Sequence, residues 1–205
     1  MPDDLLLHVC CGPCWCAVLG DLAADRRVVG WFDNPNVHGL IEFRRRLKAA
    51  RVLAEQIGAE LAFQETYGLQ AFLAACGTRA PQRCDACYRM RLTSTARRAV
   101  AEGFAAFSTT LLVSRRQRHD RIAEIGREVA AEAGVSFEYH DWRPLQESGL
   151  AEASRRGLYR QSYCGCIFSE ADRYADTNLH RFRSGRKRGR DEAPSGAGPA
   201  VDRRE

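Results

Sequence analysis

Two rhythms of apolar and polar residues alternate along the chain. Leu5-Leu6-Leu7-His8-Val9 is nearly continuously apolar and lacks helical spacing. It predicts a short first strand covered on both faces. Residues 28–32, 60–64, 105–112 and 135–140 predict further strands. Between them lie helical stretches: 15–24, the segment carrying Phe43, Leu47, Ala50, Leu53 and Ile57, then 69–75, 82–102 and 120–133. Gly58, Gly103 and Gly134 stand where three of these helices should stop. Residues 150–156 and 168–179 predict a small C-terminal helical segment. Strands alternating with helices imply βαβ units, hence an α/β fold with a mostly parallel sheet and flanking helices. Residues 1–180 are expected to form one catalytic domain. Beyond Ser184 the chain is Arg, Gly, Pro, Ala and acidic residues, so 185–205 is expected to be a disordered tail.

Composition narrows the setting. No apolar run is long enough to span a bilayer, so no membrane partner is expected. Asp3-Asp4 stands where a signal peptide would need positive charge, which points to a cytoplasmic protein. Nine cysteines in a reducing compartment read as metal ligands or redox groups rather than structural staples. The net charge is +5. Residues 181–205 hold eight Arg or Lys and four Asp or Glu, leaving only +1 on the first 180. A nucleic-acid partner would therefore be held by local patches and not by a global field. Neither a G-x-G-x-x-G after a strand nor a Walker A sequence is present, which removes dinucleotide and P-loop chemistry.

The chemistry lies in the cysteines. Cys10-Cys11-Gly12-Pro13-Cys14 follows the first strand, at the end of an α/β strand where ligands bind. Adjacent cysteines cannot both point into a core from a strand, but both reach one metal centre when Gly-Pro turns the chain. Cys84-x-x-Cys87 opens a helix, whose N-terminus favours thiolates. Together Cys10, Cys11, Cys84 and Cys87 make a four-cysteine set suited to a [4Fe–4S] cluster or to structural zinc, with iron–sulfur favoured because adjacent cysteines are unusual for zinc. Cys164-Gly165-Cys166 reads as a strained, labile redox pair, with further metal ligation as the competing reading. A second ion, or a proton donor, is a weaker expectation at Cys14, Asp33 and His8. Cys16 and Cys76 read as small apolar residues. Arg44, Arg45, Arg46, Lys48 and Arg51 form one basic run, expected to be a solvated face. Arg115, Arg116 and Arg118 form another close to a strand exit, where phosphate contacts to RNA are the functional reading.

The motifs taken together resemble the cobalamin-independent epoxyqueuosine reductases of bacteria. The resemblance rests on Leu7-His8-Val9-Cys10-Cys11-Gly12-Pro13-Cys14, Asn34-Pro35-Asn36, Cys84-Asp85-Ala86-Cys87-Tyr88-Arg89-Met90-Arg91-Leu92, the run from Thr109 to Ser114, and Gly157 to Ser169 with its Tyr163-Cys164-Gly165-Cys166. It implies reduction of the epoxide of epoxyqueuosine in tRNA, the last step of queuosine formation. It further implies a [4Fe–4S] cluster on Cys10, Cys11, Cys84 and Cys87, a redox-active pair at Cys164 and Cys166, a tRNA substrate and a separate, unidentified electron donor. The implied fold resembles adenine-nucleotide α-hydrolase domains without ATP chemistry. The alternative is a zinc-stabilised tRNA- or protein-binding module without redox turnover. A sulfur-transfer enzyme is less favoured, because the adenylating S-G-G-x-D-S loop is absent.

Overall fold

In the computed structural model, residues 4–22, 26–77 and 82–175 are described. The five strands form one wholly parallel sheet. Strand β1 (Leu5–His8) is central, with β2 (Val28–Phe32) and β3 (Glu60–Phe63) on one side and β4 (Ala106–Thr109) and β5 (Ser136–Phe137) on the other, in the order β3-β2-β1-β4-β5. Every residue of β1 is buried, as a strand covered on both faces must be. The chain winds outward from β1 to β3, crosses back, and continues from β4 to β5. The reversal falls between β1 and β4, and the crevice beyond their carboxyl ends is where such sheets bind ligands.

Helices α1 (Gly12–Val18), α2 (Leu40–Ile57), α3 (Leu69–Cys76), α4 (Gln82–Glu102), α5 (His119–Ala133) and α6 (Gln146–Arg155) follow the strands and each other in that order, and α7 (Ile167–Tyr174) comes last. Their apolar stripes, such as Phe43, Leu47, Ala50 and Leu53 of α2 and Ile122, Ile125 and Val129 of α5, are buried in one core with β1. Helix α6 crosses α1 closely because Gly149 has no side chain. A Cβ there would sit 2.5 Å from that of Ala17. No described helix is long and apolar enough to cross a membrane.

Three expectations change. The first helix starts at Gly12 rather than residue 15, because Cys11 caps it with its own sulfur, and it ends at Val18. The fourth strand ends at Thr109 rather than 112. Thr109 Oγ1 accepts the Leu111 N–H at 3.1 Å and turns the chain into a 3₁₀ segment, Thr110–Val113. The fifth strand pairs over two residues only, since the Ser108 hydroxyl takes the Glu138 carbonyl at 2.7 Å and leads the chain away from the ladder. The site lies in the unit Met1–Arg173, and Tyr174–Glu205 forms a second unit. The expected tail and residues 176–179 of the expected last helix lie outside the described residues.

Candidate metal and redox site

The site begins where β1 and β4 end side by side. The Cys10 N–H donates to Thr110 Oγ1 at 2.9 Å, and that hydroxyl donates to Cys10 Sγ at 3.2 Å. Cys11, in extended backbone, accepts the Cys14 N–H on its sulfur at 3.3 Å, so one thiol both caps α1 and faces its neighbours. The sulfurs of Cys10 and Cys11 lie 3.7 Å apart. Those of Cys10, Cys11 and Cys14 all lie within 4.8 Å of one another, a spacing that could hold a metal ion. Hydrogen bonding from Cys11 and Cys14 holds Cys10 well below the ordinary thiol range, while Cys11, chiefly through burial, and Cys14, through bonding to Cys10, are pushed above it. The triad thus favours one thiolate stabilised by two thiols.

Beneath this triad His8 is fully buried. Its Nε2 lies 3.3 Å from the Asp33 carbonyl, which can only accept, so Nε2 carries the proton and the Thr109 hydroxyl donates to Nδ1 at 2.8 Å. Burial, helped by the charge of Arg91, lowers its pKa to about 3, and both ring nitrogens are already engaged. The Asp33 carboxylate accepts the Ser94 hydroxyl at 2.5 Å.

Across the crevice, Cys84 and Cys87 open α4. Burial pushes Cys87 up to about 12 and raises Cys84. Cys87 packs with Phe72, Cys76 and Cys166 in a small apolar cluster flanked by Cys164 and Phe168. Burial also raises Cys76 and Cys16 to about 11, in keeping with their reading as small apolar groups. Cys10, Cys14, Cys84 and Cys164 then line one cavity of about 730 Å³. Cys164 faces it, whereas Cys166 is buried behind and receives backbone hydrogen bonds from Phe168 and Ser169. No disulfide joins any of the nine cysteines.

The loop carrying Cys164 and Cys166 is held by residues more than a hundred positions earlier. Arg46 donates to the carbonyls of Cys164 at 2.8 Å and Tyr163 at 3.0 Å, and pairs with Glu42 at 2.7 Å. Glu42 also accepts the Tyr159 hydroxyl at 2.5 Å. Asn36 adds a second donor to the Cys164 carbonyl at 3.2 Å. The His38 N–H holds the Gly165 carbonyl at 2.8 Å, and His38 Nδ1 accepts the Ile167 N–H at 3.1 Å. Gly165 has φ +115°, and a Cβ would meet Arg46 Nη1 and Val37 Cγ2 at 2.9 Å, so only glycine fits. Arg46 is thus 2 % exposed, a correction to its place in a solvated basic run. Arg44, Arg45 and Lys48 of the same run are exposed.

The second basic run is divided. Arg115 pairs with Glu147 at 3.3 Å, and Arg118 pairs with Asp85. The Arg116 guanidinium has no acidic partner among the described residues and lines the cavity, as do Arg160 and Arg173. Asp172 is the sole acidic residue on that wall among the described residues. Sequence reasoning missed Asn34, Arg46 and Arg91 as parts of the site. The signal available was their position, in a turn after β2 and one helical turn apart from buried neighbours.

The family model described as Epoxyqueuosine reductase QueH matches residues 5–172. A protein of that name from Dehalococcoides mccartyi is 33% identical over 180 residues, covering 87% of this chain and 98% of its own. One from Thermotoga maritima is 31% identical over 178 residues, covering 82% and 91%. One from Haemophilus influenzae is 32% identical over 200 residues, covering 92% and 80%.

Proposed function

The chain belongs to the epoxyqueuosine reductase QueH family of enzymes, and on that premise we propose that it reduces the epoxide of epoxyqueuosine in tRNA to the alkene of queuosine. The observation that carries the reading is the convergence of Cys10, Cys14, Cys84 and Cys164 on one cavity. Opening the epoxide and expelling its oxygen as water takes two electrons and two protons. A dithiol closing to a disulfide releases two of each, so Cys164 and Cys166 balance the step between them. Cys164 lies on the cavity wall and meets the substrate. Cys166, buried at the N-terminal turn of α7, closes the disulfide behind it. A separate electron donor then reopens the pair.

Cys10, Cys11, Cys84 and Cys87 would hold a [4Fe–4S] cluster, and the donor chemistry fits: Cys10 and Cys84 line one cavity, Cys11 adjoins the first and Cys87 follows the second by three positions, and a buried guanidinium with no carboxylate partner among the described residues lines the same cavity. When bound, the cluster supplies one-electron transfer and a Lewis-acidic iron. Cys14, within reach of Cys10 and Cys11, is the thiol for a second ion. Thr110 orients Cys10 from the 3₁₀ segment that follows β4, and the Arg46 clamp holds Cys164 at the cavity. The unpaired guanidinium of Arg116, together with Arg160 and Arg173, would take tRNA phosphates at the mouth.

Metal analysis and visible absorption of anaerobically purified protein test the reading. About four irons per chain, with a broad absorption that dithionite bleaches, are expected, followed by turnover of epoxyqueuosine-tRNA. Cys164→Ser is expected to keep the absorption and lose turnover. The close spacing of Cys10, Cys11 and Cys14 also suits a single zinc ion. A colourless zinc protein that takes up no iron on reconstitution would replace the reductase reading with the binding module.

A further inference from the structure

Three arginines are buried at this site, and two of them are balanced; Arg83 pairs with Asp172 at 3.7 Å. Arg46 has a carboxylate and two carbonyls. Arg91, 3 % exposed, forms no ion pair among the described residues. Its Nη2 donates to the neutral Asn34 Oδ1 at 2.6 Å, and its Nε has no partner at all. A buried cation without an anion is costly, so a position of this kind is kept for an anion that arrives separately. The place of the guanidinium says which one. It lies one helical turn beyond Cys87 on α4, on the same face. It lines the cavity with Cys10, and its charge acts on both Cys10 and Cys87. Asn34 fixes it there: the Asn34 amide donates to the carbonyl of Val9, the residue before Cys10, at 2.9 Å.

We propose that Arg91 is the fixed counter-charge of the metal–thiolate centre, set between its two cysteine pairs, and that it raises the reduction potential of that centre. The inference rests on the cluster reading above. Four thiolates make an anionic centre, and adding an electron makes it more so. A positive charge held in a low-dielectric site stabilises the reduced form more than the oxidised one. Removing that charge shifts the equilibrium toward the oxidised centre, with ligands and iron content unchanged.

The test is an anaerobic redox titration of the reconstituted full-length protein, followed by visible absorption and electron paramagnetic resonance. At the wild-type midpoint potential, Arg91→Gln is expected to lower the reduced-to-oxidised ratio about tenfold, a shift of 59 mV for a one-electron couple. Arg91→Lys, which keeps the charge, is expected to stay within about twofold of wild type. Asn34→Asp leaves the guanidinium but places a carboxylate on it, and is expected to lower the ratio in the same direction. An unchanged ratio in Arg91→Gln overturns the proposal, as does an Arg91→Lys ratio as low as that of Arg91→Gln. Should Arg91→Gln take up no iron, an unchanged ratio in Asn34→Asp overturns it equally. Wild-type protein that binds zinc and no iron removes the cluster reading and this inference together, whereas iron uptake with an indifferent Arg91 removes this inference alone.

Discussion

Replacing Arg46 by Met tests how the thiol loop is held. The substitution keeps much of the aliphatic volume and removes the guanidinium. Three partners lose a donor. The Tyr163 carbonyl is left with none from this source, while the Cys164 carbonyl keeps the Asn36 amide at 3.2 Å. Glu42 keeps only the Tyr159 hydroxyl. Deleting one member of a buried ion pair costs about 3–5 kcal/mol because the other charge is left uncompensated. Glu42 retains some exposure, and one carbonyl retains a donor, so the lower end applies: about 3 kcal/mol. Urea unfolding of the metal-free protein under reducing conditions, followed by circular dichroism, measures it. Glu42→Gln in the Arg46→Met background removes the stranded charge, so the double variant should lose less than the two single losses combined, by about 1 kcal/mol or more. A loss below about 1 kcal/mol for Arg46→Met would mean that the side chain is solvated, as its place in a basic run implies, and would refute the clamp.

Gly165→Ala forces a side chain onto φ +115° and against Arg46 and Val37. It should cost about 2 kcal/mol or more and abolish turnover while iron binding persists, as metal analysis beside activity would reveal. His8 is held neutral, with its pKa lowered from 6.5 to about 3. Its contribution to stability is therefore complete above pH 6.5 and is lost as pH falls from 6.5 toward 3, by about 5 kcal/mol across that window. Urea midpoints of metal-free protein against pH should show this slope, and His8→Gln should flatten it. Arg116→Gln should weaken tRNA binding at low salt and reduce the slope of log affinity against log salt by about one. An unchanged slope would place the phosphates elsewhere.

The doubly wound sheet was readable from the chain because its strands are short, apolar and separated by amphipathic helices that stop at glycine. β1 and α4 match their expected bounds to within a residue or so. The ends of β4 and β5 were not readable, because each is decided by a hydroxyl reaching outside its own strand: Thr109 to Leu111, and Ser108 to Glu138. Hydrophobic rhythm carries no trace of such bonds. The cysteine motifs stood out by spacing, and the structure brings Cys10, Cys14, Cys84 and Cys164 to one cavity. The frame around them was hidden by residue type. Arginine in a run of arginines reads as surface, yet Arg46 is buried by partners 117 and 118 positions away, and Arg91 by Asn34, 57 positions away. Cys14 was visible only as a thiol one turn beyond the first pair. Its membership of the triad depends on Cys11 capping the helix that carries it.

The clamp on the Cys164 loop also orders events during synthesis. Domains tend to form from the N-terminus as the chain emerges. Cys10, Cys11, Cys14, Cys84 and Cys87, with the strands β1 to β3, leave the ribosome before any of the loop that Arg46 holds. The loop arrives more than seventy residues after Cys87, as the last described segment but one, and docks onto carbonyl-binding groups of α2 and the turn before it that are already in place. A nascent chain stopped short of Tyr163 therefore carries both early cysteine groups without the loop that bears Cys164, and the side of the cavity that this loop lines is still open to an incoming metal or cluster. The thiol pair closes over that opening only when the protein is nearly finished.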